Sequence, residues 1–137
     1  MRNRLIAVTG AAFVAATLTI AACSGDSPSA PSGGSGGGGN TGPITATITI
    51  SPTGVSPASV TVTPGSRVDF VNNSGSTRNM YSDPHPAHTD CTELNQVGAL
   101  GSGQNRATGN LTTVRTCSYH DHDFPDDARW KGSIRIQ

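Results

Sequence analysis

Five segments beyond residue 43 alternate apolar and polar residues with a period of two, and this restricts the chain to strands. In ITATITI (44–50), Ile44, Ala46, Ile48 and Ile50 fall on one side and three threonines on the other. Successive side chains of a strand point to opposite faces, so such a segment can bury one face and wet the other. Val60 and Val62 repeat the pattern in SVTVT, Pro64-Gly65 marks a turn, and Val68 and Phe70 share a face in SRVDFVN. Near the C-terminus, LTTVRTCSY and GSIRIQ are again β-rich, with Ile134 and Ile136 on a common face. No segment carries a comparable helical periodicity. Short strands separated by Gly, Pro and Asn clusters predict an all-β sandwich or small barrel. The stretch 72–109 is too rich in Pro, Gly and polar residues for regular structure throughout, and a loop of that length is usually functional.

The segment before these strands has a different role. Arg2 and Arg4 precede an uncharged apolar run from Leu5 to Ala22 that stops at small residues before Cys23, the layout of a secretory signal peptide. Threonines and glycine dilute the run, which argues against a membrane-spanning helix. Ile20-Ala21-Ala22-Cys23 resembles the bacterial lipobox. That resemblance implies a signal peptide over 1–22, lipidation of Cys23, and an extracytoplasmic protein held on a membrane in the periplasm or at the cell surface. After Cys23, SGDSPSAPSGGSGGGGNTG offers almost nothing to bury, so 23–42 is expected to be a lipidated N-terminus with a flexible Gly/Ser/Pro tether. One domain remains, 43–137. Its seven basic and eight acidic side chains leave a net charge of −1, which provides no basic footprint for nucleic acid.

All four histidines lie in two stretches, His85 and His88 in SDPHPAHTDC (82–91) and His120 and His122 in TCSYHDH (116–122). On a strand, His120 and His122 point to the same face, a bidentate start for copper or zinc. Cys91 and Cys117 are the cysteines left after Cys23. In an oxidising compartment such a pair usually forms a disulfide, which would tie the 82–91 loop to the last long strand and bring the two histidine pairs near each other. If the pair stays reduced, Cys117 is a thiolate ligand beside the histidines. The two roles exclude each other. Asp83, Asp90, Asp121 and Asp123 stand close enough in sequence to orient the imidazoles or simply to pair with them.

ASVTVTPGSRVDFVNNS resembles the strand, Pro-Gly turn, strand and Asn-Asn stretch of cupredoxins, the blue copper proteins, and WKGSIRIQ resembles their closing strand. The two His-Cys stretches together resemble a cupredoxin-like subgroup of exported bacterial lipoproteins. The resemblance implies a Greek-key β-sandwich, a copper ion held by two histidines and a cysteine with a weak axial ligand, and electron transfer or copper handling with a redox protein partner. The chain departs from that pattern in three places. Ser76-Thr77-Arg78-Asn79-Met80 has no histidine where many cupredoxins carry their first ligand, no methionine follows the Cys117-x-x-His120 spacing, and Met80, the single methionine after Cys23, falls on the other loop. The competing reading is a structural or recognition sandwich that holds a disulfide and no metal.

No enzyme is expected. The chain lacks a Gly-x-Ser-x-Gly elbow, its glycine run has no flanking strand and helix to cradle phosphate, and four histidines are too few for the two-metal site of copper–zinc superoxide dismutase.

Overall fold

The Ile/Thr alternation at residue 44 opens β1 (Ile44–Ser51), and β2 (Gly54–Ser56) folds back on it. In the computed structural model, which describes residues 39–137, β3 (Ser59–Val62), β4 (Arg67–Asn72), β5 (Arg78–Ser82), β6 (Gly98–Leu100), β7 (Asn105–Ala107), β8 (Arg115–Asp121) and β9 (Lys131–Ile136) follow. The expected signal peptide, the lipidation site Cys23 and the tether up to residue 38 lie outside the described residues. One sheet has the order β2-β1-β4-β7 and the other β3-β9-β8-β5-β6; β1 runs parallel to β4, and β3 parallel to β9. Two short 3-10 turns, Leu94–Gln96 and Ala128–Trp130, are the only helical elements among the described residues, where no helix is long and apolar enough to cross a membrane.

The period-two pattern becomes the core. Ile48, Ile50, Val68 and Phe70 from the first sheet face Val62, Met80, Tyr119, Ile134 and Ile136 from the second. Phe70 and Tyr119 meet edge to face across the interior, with ring centroids 5.2 Å apart. Ile44 departs from the expectation: the register of β1 against β4 shifts between Ile44 and Ala46, and Ile44 stays 53% exposed. A shift of one residue turns a side chain to the other face.

The end of the expected tether is attached to the domain. Arg67 donates to the Asn40 carbonyl at 3.0 Å, the Asn40 amide donates to Gln96, and the Gly42 N–H donates to Asn110 Oδ1 at 2.9 Å. Side chains of the domain supply the partners that a Gly/Ser composition lacks. The stretch 72–109 holds three short strands, β5, β6 and β7, whose sequences are too short and mixed to show a period.

Candidate metal centre

β5 and β8 are antiparallel neighbours, with Tyr81 opposite His120 and Met80 opposite Asp121. Alternation therefore places Met80, Cys117, Tyr119 and Asp121 on the inner face and Tyr81 and His120 on the outer one. The His122 N–H donates to the Asn79 carbonyl at 2.7 Å, which carries the pairing one step past β8. Asp121, fully buried, anchors that corner: it accepts from the Asn79 and Asp123 N–H groups and pairs at 3.3 Å with Arg78, whose guanidinium stacks 3.7 Å above Trp130.

Residues 83–91 supply the other two histidines. The Asp90 N–H donates to the Asp83 carbonyl at 2.9 Å, and the His88 N–H to the Pro84 carbonyl at 2.7 Å. Asn95 accepts from the Ser82 N–H at 2.8 Å and donates to the His88 carbonyl at 2.7 Å. These contacts hold His88 at φ +52°, a left-handed conformation that histidine adopts more readily than most residues.

The four rings gather on the outer face. The His85 centroid lies 5.6 Å from His88, 5.5 Å from His120 and 4.8 Å from His122, and His88 lies 5.1 Å from His120 and 5.0 Å from His122. One ring nitrogen from each of His85, His88 and His122 falls within 4.8 Å of the others, so these three could hold a metal ion. Tyr81 backs the rings of His88 and His122, with centroids 4.8 and 5.8 Å away. His88 Nδ1 lies 2.7 Å from the Ser82 carbonyl, which can only accept; Nδ1 therefore carries the proton, and His88 Nε2 accepts from His122 Nδ1 at 2.8 Å. A bound cation would replace that last hydrogen bond. His120 Nδ1 lies 2.6 Å from Asp83 Oδ1, while its Nε2 is buried with no partner. An open depression of 380 Å³ reaches the cluster from the side of His85 and His120; Asp83, Pro84, Pro125, Asp126 and Lys131 complete its wall.

No family model matches the chain, and no curated protein sequence does. Solved structures do. A purple cupredoxin from Nitrosopumilus maritimus aligns over 67% of this chain and 99% of its own at 17% identity, with a TM-score of 0.55. The chain has a cupredoxin-like fold. The oxidised plastocyanin of Dryopteris crassirhizoma (18% identity, TM-score 0.52, 66% of this chain and 99% of its own) shares it. So does a mutant amicyanin in its Cu(I) form (17% identity, TM-score 0.50, 66% of this chain and 80% of its own).

Within this cupredoxin-like sandwich the sulfur ligand is not available. Cys91 and Cys117 are joined as a disulfide, with Cα atoms 5.6 Å apart, so Cys117 is not a thiolate, and its side chain lies on the inner face, opposite the histidines. Met80, expected on a loop, is in β5 and fully buried in the core. The residues present do not fit a thiolate copper site; they fit an ion held by imidazoles. Sequence reasoning named the four histidines but missed Tyr81 and Asn95. Asn95 lies in a segment without periodicity, and nothing in the sequence marks it as the residue that sets the loop carrying His88.

Partial loss of solvent, followed by repulsion from His122, His120 and His88, lowers the pKa of His85 below the ordinary 6.5, against an opposing pull from Asp126. The unfolded chain takes up this proton first as the pH falls. Between 6.5 and the lower folded value it binds more protons than the native state, so stability decreases with decreasing pH. The melting temperature of the metal-free protein is expected to fall as the pH passes below 6.5, and to fall less in His85→Asn. Thermal unfolding across pH measures this; identical profiles for the two proteins would contradict it.

Proposed function

We propose that this is a lipid-anchored, extracytoplasmic copper-binding protein that serves electron transfer or copper handling rather than catalysis. The observation that carries the reading is the convergence of His85, His88 and His122 nitrogens within 4.8 Å on one face of a cupredoxin-like sandwich. Three imidazoles without a thiolate favour Cu(II), which stands highest among the divalent first-row metals for nitrogen sites. Copper, when bound, supplies a one-electron couple. The protein's part is to fix the three rings through β8, the Asn95 contacts and Tyr81, and to leave the His85 side open to a redox partner or to another copper carrier. Export and anchoring through Cys23 rest on the lipobox resemblance.

A metal-free recognition module is the second reading. The 2.8 Å hydrogen bond between His88 and His122, which with the Ser82 carbonyl occupies both nitrogens of His88 without an ion, favours it. The two readings separate on titration with Cu(II). We expect one copper per chain, a weak visible spectrum without an intense thiolate band, and a melting temperature that rises with copper; a ligand at a hundred times its Kd adds about 2.7 kcal/mol. His88→Asn keeps a residue that tolerates the left-handed backbone and removes the imidazole. It should weaken binding by more than the roughly 10- to 100-fold that loss of an outer hydrogen-bond partner costs. Wild-type protein that takes up no copper leaves the module.

A further inference from the structure

We propose that His120 is a fourth, buried donor of this centre and that Asp83 is its positioning residue. The inference rests on the copper reading above and adds two residues to it. His120 is 1% exposed, and its Nε2 is one of the few buried side-chain polar atoms among the described residues with no hydrogen-bond partner. Buried polar atoms are nearly always paired, so each exception asks for a cause such as a missing ion. The surroundings identify the cause. The ring stacks on His88 at 28° with centroids 5.1 Å apart and meets His85 nearly at a right angle at 5.5 Å. The unpaired nitrogen therefore belongs to a ring packed among imidazoles.

Asp83 decides which nitrogen is free. Its Oδ1 lies 2.6 Å from His120 Nδ1, and an ionised carboxylate can only accept. The proton sits on Nδ1, so in the neutral ring, the form a metal requires, the lone pair is on Nε2. Both partners are held in place. His120 is fixed in the ladder between Tyr81 and Lys131, and the Asp83 backbone donates to the Ser118 carbonyl at 3.1 Å and accepts from Asp90. The Asp83 side chain is still 32% exposed, so its carboxylate stays solvated while it orients the buried ring. His120 lies outside the set of three whose nitrogens fall within 4.8 Å, so geometry alone assigns the site three donors; the fourth follows from the orphaned atom and its carboxylate.

Three measurements on the full chain test this. Nitrogen-15 NMR of the metal-free wild type should show His120 protonated at Nδ1 and bare at Nε2; the opposite tautomer overturns the proposal. Asp83→Asn, nearly isosteric but able to turn its amide and donate to Nδ1, should bind one Cu(II) about 10- to 100-fold more weakly. In His120→Gln the electron paramagnetic resonance spectrum of the copper-loaded protein should lose one coupled nitrogen. If the wild type binds copper and both variants match it in affinity and nitrogen coupling, the proposal fails while the three-histidine reading stands. If the wild type binds no copper, the reading itself falls and takes the fourth ligand with it. Should His120→Gln fail to fold, Asp83→Asn and the tautomer still decide.

Discussion

Replacing Cys91 and Cys117 by alanine lowers the stability of the protein by about 3 to 4 kcal/mol, the loop-closure entropy that the crosslink removes from the unfolded chain. The crosslink spans 26 positions and joins the end of the histidine loop to β8. Both sulfurs are fully buried in the core cluster, so the alanines also forfeit packing there. Total stability for a domain of this size is about 5 to 15 kcal/mol, so the loss is a large fraction of it. The melting temperature should drop by roughly 15 to 25 °C. Differential scanning calorimetry of the double variant measures it, and a shift of only a few degrees would show that the crosslink constrains little. The copper stoichiometry should survive. The histidine loop keeps its ties through Asn95 and through the Asp90 to Asp83 bond, neither of which depends on sulfur.

Gly132→Ala is expected to cost about 3 kcal/mol or more, the upper end of the range for overpacking a closed interior. Gly132 lies opposite Tyr119 in the β8–β9 ladder, and a methyl group there would overlap both the Ala58 carbonyl oxygen and the Tyr119 phenol. Neither obstacle can yield easily. The Ala58 carbonyl accepts from the Ser133 N–H at 2.8 Å and lies 3.2 Å from the Tyr119 hydroxyl, which donates to it. The Tyr119 ring is packed on Phe70, and burial pushes its phenol pKa well above the ordinary value. Combining Gly132→Ala with Tyr119→Phe relieves one overlap and leaves the carbonyl, so only partial recovery is expected. Urea unfolding of the single variant within about 0.5 kcal/mol of wild type, the range of an ordinary surface substitution, would refute the packing argument.

Much of the fold was legible because a strand has a two-residue period. Ile48, Ile50, Val68, Phe70, Ile134 and Ile136 declare the core face without knowledge of any partner. The same rule put His120 and His122 on one side of β8, and both rings lie in the cluster. It could not detect the register shift that exposes Ile44, because register is set between strands. Nor could it find β5 to β7, each of five residues or fewer.

The site divides in the same way. The sequence by itself determined the residue types: four imidazoles in two short stretches, a cysteine pair, no methionine after His120, and an all-β pattern to carry them. Only the tertiary structure decided how they combine. It placed Cys117 and Met80 on the inner face of the sheet and joined Cys117 to Cys91, which removed sulfur from the ligand set. It also folded the 83–91 loop onto the outer face, where His85 and His88 meet His122 and where Asp83 finds His120. The physical reason is range. Side-chain alternation is local and follows from the backbone of one strand, whereas the meeting of residues more than 30 positions apart depends on which strands pair and on how a loop without any period is tied down.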